Sequence, residues 1–411
     1  MSLKEQIAIL ALGAGFAACT PQPATNLIED NMEFAQQQLR FAFDEIDYAI
    51  VNESPESRAK REKNGWGELT NPRNSEPDGT LNLVPSKDWT SGFFPGELWF
   101  LYEYTQNNFW KKKAQQHTDI LEKEKMNGST HDMGFKVYCS FGNGYRLTQD
   151  EHYKEVLLQS ARTLAMRFKP AAGIIRSWDH STAKWLCPVI IDNMMNLEML
   201  FWASEQTNNP KYREIAISHA NKTLKNHFRE DMTSYHVVSY LADSGEVESK
   251  GTFQGYADSS AWARGQAWGV YGYTMCYRFT KQQNYLDAAH KIARFIIDHR
   301  PSENDYVPYW DYDAPNIPNE PRDASAAACT ASALYELDGY LPGNHYKETA
   351  DKIMESLGSP AYRAKVGTNG NFILMHSVGS IPHGQEIDVP LNYADYYFLE
   401  GLMRKRDLEK K

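Results

Sequence analysis

The chain has 411 residues, of which 42% are hydrophobic and 23% charged, so a disordered, collagenous or low-complexity protein is excluded. The formal net charge is −10 and no basic block stands out, which argues against nucleic-acid binding by phosphate neutralisation. Aromatics are the outlier at 13%, with 10 Trp and 24 Tyr, a composition that fits either a large core or a cleft that stacks on sugar rings.

The N-terminus reads differently from the rest. An apolar run from Ile7 to Ala18 follows Lys4 and ends at Cys19. It is too short to span a membrane as a mature helix and has the proportions of a secretory signal. Ala17 and Ala18 before Cys19 predict a bacterial lipoprotein signal over residues 1–19, with Cys19 lipidated, although Glu5 is atypical there. A polar tether over 20–30 would follow. The alternative is a short apolar helix of the fold. The predicted location is the periplasm of a Gram-negative bacterium, free or as a membrane-anchored lipoprotein.

From residue 26 onward, helix-length segments recur. Asn26 to Val51 carries Leu27, Phe34, Leu39, Phe43, Ile46 and Ile50 at helical spacing. Further helices are predicted near 90–105, 107–125, 133–147, 149–168, 189–206, 210–227, 260–280, 282–299, 323–340, 346–357 and 392–406. They alternate in character. Ser259–Arg278 and Asp323–Tyr340 are small-residue-rich and apolar nearly all round, while Gln282–Arg300 and Tyr212–His227 are amphipathic. The first kind must be buried on all sides and the second faces water. About a dozen helices alternating in this way predict an all-α fold, a closed (α/α)6 barrel, in one catalytic domain over 31–408. The connections 59–87, 170–188, 230–256 and 301–321 are long and rich in Gly, Pro, Trp and Asp. They are expected to gather at one end of the ring and build a cleft.

Cys139, Cys187, Cys276 and Cys329 form no CxxC pair and read as buried thiols. The histidines lack ligand spacing, so neither a metal nor a cofactor is implied. The candidate chemistry lies in carboxylates flanked by aromatics and amides at the starts of the apolar helices. Asp132 follows His131 and precedes an apolar helix, where it is either an N-cap or a catalytic acid. Asp192 follows Val189-Ile190-Ile191, a position where burial is costly unless the group is paired or functional. Arg264 and Trp268 are four apart and share a helix face. The pair suits a guanidinium fork on a carboxylate with an indole stacked on a ring, or else an internal salt bridge.

These segments, Trp89–Gly96, His131–Phe135, Asp192–Leu197, Arg264–Trp268 and Asp395–Glu400, together resemble the unsaturated glucuronyl hydrolases of glycoside hydrolase family 88. The resemblance covers essentially the whole chain after residue 30. It implies an (α/α)6 barrel that removes a terminal 4,5-unsaturated uronic acid from lyase-generated oligosaccharides by hydrating the C4=C5 vinyl ether. It implies that Asp192 is the general acid/base and Asp132 the second carboxylate. It places His236, Thr252 and Gln254 around the unsaturated sugar and the attacking water, Arg264 and Trp268 on the substrate, and Trp89 and His131 in the cleft wall. A proton donor to carbon must be a carboxylic acid at working pH, whereas a free Asp titrates near ~3.9. Asp132 and Asp192 are therefore expected to lie close and titrate as a coupled dyad with one raised pKa. Some relatives read sulfate through Ser-x-x-Ser-x-Lys. Here Ser377 and Ser380 are present, Pro382 stands at the Lys position, and His383 follows.

A glycosaminoglycan-derived substrate is expected. Rival readings are the sister rhamnogalacturonyl-type hydrolase on pectin disaccharides, whose members tend to carry Asn-Gly at Gln266-Ala267, a non-catalytic glycan-binding lipoprotein, and an epimerase. Membrane contact is expected only through Cys19, and the sequence does not choose between monomer and dimer.

Overall fold

A computed structural model describes residues 26–410 apart from Pro77 and Glu303. The expected signal segment and Cys19 lie outside the described residues. The chain runs through α1 (Leu27–Val51), α2 (Pro55–Lys63), β1 (Leu69–Ser75), β2 (Leu81–Pro85), α3 (Phe93–Thr105) and α4 (Asn108–Asp119). A π-helix, Gly134–Gly142, then continues into α5 (Asn143–Thr148), followed by α6 (Glu151–Ala165), β3 (Phe168–Lys169), β4 (Ile174–Ile175) and β5 (Pro188–Ile190). A 3-10 turn, Ile191–Asn196, continues into α7 (Leu197–Thr207), followed by α8 (Pro210–His227), β6 (Val237–Tyr240) and β7 (Val247–Gly251). The rest is α9 (Ala263–Thr280), α10 (Gln283–Asp298), α11 (Ala324–Asp338), α12 (Tyr346–Leu357), β8 (Ser377–Ser380), β9 (Gln385–Val389) and α13 (Asn392–Glu409).

The inner ring is α3, the π-helix with α5, α7, α9, α11 and α13. Helix α13 packs against both α11 and α3, which closes the ring. Outside stand α4, α6, α8, α10 and α12, each against the inner helix before it, and α1, against α13. The structure is the expected (α/α)6 barrel. Burial follows the sequence pattern: α9 is buried without a break from Ala263 to Cys276, whereas α10 buries one face only. Helix α1 begins at Leu27, inside the stretch expected as tether, because Asn26 caps it by accepting the Ile28 N–H at 3.0 Å.

The two ends of the barrel differ in their connections. Inner helices α3, α5, α7 and α9 end on Gln106, Gln149, Asn208 and Lys281, all left-handed with φ between 54° and 56°. The next residue is already the N-cap of the outer helix, so these turns are tight. At the other end the chain returns through long loops. These carry what the all-α expectation omitted: four small antiparallel sheets among the described residues, pairing β1–β2, β3–β4, β5–β6–β7 and β8–β9. Backbone pairing within the loops satisfies polar groups that burial would otherwise orphan. Close approach of the inner helices at this end depends on glycine. A Cβ on Gly92 would lie 2.2 Å from Phe135 O, and one on Gly134 would lie 2.7 Å from the Asn196 Cα.

Cys139, Cys187, Cys276 and Cys329 are buried and free, as expected. No described helix is long and apolar enough to cross a membrane.

Two inner helices carry a buried acid pair. Glu97 on α3 and Asp395 on α13 are 1% and 0% exposed. Asp395 accepts the N–H groups of Ile373 at 2.7 Å and Leu374 at 2.8 Å, which fixes the segment leading to β8. Burial pushes Asp395 up to about 8, and burial together with Asp395 pushes Glu97 well above the carboxylate range. Both acids bind protons more tightly folded than unfolded. Their stabilising contribution is full below pH ~4 and is lost as pH rises through about 8. Wild-type Tm is therefore expected to fall between pH 5 and 8, and Glu97→Gln to flatten that fall, with Tm at pH 8 about 2–4 °C higher. Identical Tm profiles for the two proteins would remove this account.

Candidate active site

All six inner helices begin at the mouth where the long loops gather, and the sequence-predicted residues lie at or near these starts and on the loops and strands beside them. Asp192 sits in the 3-10 turn before α7 and is 7% exposed. Asn196 in the same turn accepts the Phe135 N–H at 3.1 Å, which joins this turn to the π-helix behind Asp132. A π-helix here re-aims an inner helix at a functional position.

His236 precedes β6 and is 3% exposed. Its Nδ1 accepts the backbone N–H groups of Phe253 at 3.1 Å and Gln254 at 3.0 Å. The ring proton is thereby assigned to Nε2, which faces Asp192 Oδ2 at 3.5 Å. Asp132 is held differently. Its Oδ2 accepts the Thr130 hydroxyl at 2.7 Å, and its Oδ1 lies 3.1 Å from His131 Nε2. Asp192 Oδ2 and His131 Nδ1 are buried without a good hydrogen bond among the described residues.

Asp192 does not carry the raised pKa expected of a proton donor in a coupled dyad. Burial pushes the Asp192 carboxyl up, but the imidazoles of His236 and His131 and the Arg264 guanidinium outweigh it and hold Asp192 below the usual aspartate value. The compensation comes from the His236 Nε2–H and the Arg264 guanidinium, and His131 stands beside Asp132 as its partner.

Arg264 follows the internal salt-bridge reading, and Trp268 differs from expectation. Arg264 is 1% exposed and its fork is spent inside the protein. It meets Asp323 Oδ2 at 3.1 Å, Gly379 O at 2.8 Å and the Val378 carbonyl. It therefore pins β8 to the barrel rather than reaching out to a carboxylate. Trp268, one turn deeper, is 0% exposed and packs on Phe135 and Tyr397, so it is core and not a sugar platform. Thr252 turns its hydroxyl to the Gly255 N–H at 2.8 Å and shapes its own loop. Gln254 contributes its backbone N–H to His236. Gln266, beside Arg264, accepts the Ser234 N–H at 2.8 Å and donates to Met232 O, so it braces the approach to His236.

The walls are aromatic. Trp89 is half-buried, 5.0 Å from Tyr393 and under the Arg73 guanidinium. Arg73 in turn pairs with Asp88 and Glu386. Opposite in sequence, Trp178, Trp185 and Phe253 form one cluster, with His180 stacked on Trp178 and His383 packed 4.3 Å from Phe253. Ser380 Oγ is 2.7 Å from His383 Nδ1, and Ser377 is fully buried. Asp323, Tyr393, Asn196 and Trp178 were not picked out from the sequence. An Asn in the apolar run Ile190–Leu197 was the one available signal. No cluster of His, Cys, Asp and Glu among the described residues could hold a metal.

A cavity of about 870 Å³ runs between the inner helices from the opposite mouth up to Gly134, Phe135 and Met195, and none of the expected catalytic or binding side chains lines it. Its charges are paired with each other, Arg278 with Glu198 and Glu336, and Arg404 with Glu336.

Arg264→Lys keeps the charge but cannot join Asp323 and two carbonyls at once. It is expected to cost about 3 kcal/mol in urea unfolding and to lower kcat through displacement of β8. An unchanged urea midpoint would show that the fork does not hold the strand.

Residues 60–402 match the profile of Glycosyl Hydrolase Family 88. The chain is 50% identical over 329 residues to an unsaturated glucuronyl hydrolase of Formosa agariphila, covering 80% of this chain and 82% of that one. The crystal structure of an unsaturated glucuronyl hydrolase specific for heparin aligns with a TM-score of 0.85 at 44% identity, covering 94% of this chain and 98% of that one. A Streptococcus agalactiae unsaturated glucuronyl hydrolase mutant complexed with dGlcA-GalNAc6S aligns with a TM-score of 0.72 at 28% identity, covering 92% of each. With the barrel, the ordered motifs and these relatives in agreement, the chain belongs to glycoside hydrolase family 88.

Proposed function

We propose that the protein removes the terminal 4,5-unsaturated uronic acid from lyase-generated glycosaminoglycan oligosaccharides. The observation that carries this reading is Asp192, a buried carboxylate at the loop mouth, with Oδ2 turned to His236 Nε2. A pure binding site needs no such group. Asp192 gives a proton to C4 of the vinyl ether, and positive charge develops at C5 and the ring oxygen. Water attacks C5 and Asp192 takes back a proton from it. The hemiketal at C5 opens, the freed C1 hemiacetal collapses, and the remaining sugar leaves. Asp132, fixed by Thr130 and His131, stabilises the transient positive charge.

The low proton affinity of Asp192 in the free protein fits this scheme once substrate is counted. The uronate brings a negative charge into the field of His131, His236 and Arg264, and it excludes water. Both effects raise Asp192. Asp192 must be protonated to act, so activity falls as pH rises through its pKa. The alkaline limb of kcat, which reports the complex, is expected at higher pH than that of kcat/KM.

Loss of absorbance of the C4=C5 chromophore tests the whole reading. The substrates are unsaturated disaccharides made by lyases from chondroitin, hyaluronan, heparin and pectin. Wild type is expected to bleach glycosaminoglycan disaccharides, and Asp192→Asn to be slower by about 10³-fold or more. Fastest turnover of the pectin disaccharide would move the protein to the rhamnogalacturonyl-type reading. No turnover at all would return it to glycan binding. With Ser377 buried and Ser380 occupied by His383, sulfated and unsulfated chondroitin disaccharides are expected to differ by less than about threefold in kcat/KM.

We further propose that the protein is exported as a lipoprotein anchored through Cys19, which the Lys4–Cys19 pattern supports. Labelled palmitate is expected in the wild type and not in Cys19→Ser. An unlabelled wild type with an intact Met1 would overturn this.

A further inference from the structure

His236 presents Nε2 to Asp192 because two backbone amides hold its Nδ1, and those amides sit on the irregular loop 252–260. Two carboxylates shape that loop. Asp258 Oδ1 accepts the Thr252 N–H at 2.8 Å. Asp311, from the 301–323 loop, accepts the Tyr256 N–H at 2.9 Å and the Ser260 hydroxyl at 2.7 Å on Oδ2, and the Asp313 N–H at 2.9 Å on Oδ1. Asp311 is 0% exposed. Its backbone neighbours are tied to the start of α9, with Ala263 N–H on Trp310 O at 3.1 Å and Tyr312 N–H on Ala261 O at 2.9 Å. Between the two carboxylates lies Gly255. A Cβ there would sit 2.7 Å from Thr252 Oγ1, 3.1 Å from Trp262 Cβ and 3.2 Å from Asp311 Oδ2.

We propose that Asp311 is a positioning residue for the acid/base step: it clamps the far end of this loop, aims the Phe253 and Gln254 amides at His236 Nδ1, and so fixes the imidazole in the Nε2–H form that faces Asp192. The opposite tautomer would turn an Nε2 lone pair toward a carboxylate and remove a stabilising hydrogen from it. The other groups around His236 do not replace this hold. Asp192 faces Nε2, His227 on α8 acts through space, and Trp262 packs at 4.6 Å with Arg264 behind it. None of them donates to Nδ1. A buried aspartate that sets a histidine tautomer for catalysis has precedent in hydrolases, where its loss costs about 10⁴-fold in kcat. Here the hold passes through a loop, and a smaller loss of about 100-fold is expected.

The kinetic consequence rests on the acid/base reading of Asp192, whereas the tautomer does not. The test is therefore made in two arms on the full protein. In the first, ¹⁵N spectra of the histidine rings are recorded from pH 5 to 8, with His236→Ala to assign the signal. Wild type is expected to show a single Nε2–H form, and Asp311→Asn, which turns an amide toward the loop donors, a tautomer mixture. In the second, turnover of the unsaturated chondroitin disaccharide is measured in a double-mutant cycle. Asp311→Asn is expected to lower kcat about 100-fold with KM changed less than about threefold, and to cost under about twofold when added to His236→Ala. An unchanged tautomer would overturn the proposal, and so would equal losses in both backgrounds or a change confined to KM. If Asp311→Asn does not fold, Gly255→Ala displaces the same amides and is read in the same two arms. A shifted tautomer without any turnover by wild type would leave the positioning role standing and remove the hydrolase reading.

Discussion

A carboxylate removed from water needs compensation, and the active mouth of this protein is arranged around that need. Asp192 is buried at the head of an inner helix. His236, His131 and Arg264 supply the compensating field. Each of them is itself a buried polar group that must be satisfied in turn. His236 leans on the amides of the 252–260 loop, His131 on Asp132, and Arg264 on Asp323 and the carbonyls of β8. The requirement therefore spreads outward until every long loop at this end is tied to a neighbour.

The barrel makes such a web possible because its inner helices all start at the same mouth. Helix starts leave unpaired N–H groups and a positive end, surroundings that favour anionic groups. The far mouth collects helix ends and short turns. There the cavity is closed electrostatically by Glu198, Arg278, Glu336 and Arg404, which neutralise one another. The candidate chemistry thus lies at one mouth, although a cavity of about 870 Å³ opens at the other.

Much of this was legible in the sequence for physical reasons that can be stated. An Asp after three apolar β-branched residues has few places to be except buried and useful, so Asp192 stood out. Helices such as Asp323–Tyr340, apolar all round, had to be interior. The two readings of Arg264 could not be separated because its partners Asp323 and Val378 are 59 and 114 residues away, and a single helix face cannot reveal them. Trp268 was misread because spacing of four tells which side of a helix a residue shares, not whether that side opens to the mouth or to the axis. Asp311 looked like an ordinary loop aspartate, and nothing nearby in sequence indicates that it reaches under another loop.

Periodicity and motif are local properties, so the ring of alternating helices, the carboxylates and aromatics at the helix starts, and the family are all legible in the amino-acid order. Which charged side chains are free to act and which are consumed follows only from the packing of the folded chain. That outcome depends on pairings between segments from 55 to 313 residues apart. The same guanidinium that could grip a substrate in one packing holds a strand in this one, because the nearest carboxylate and carbonyls are already within hydrogen-bond reach and exclude water from it.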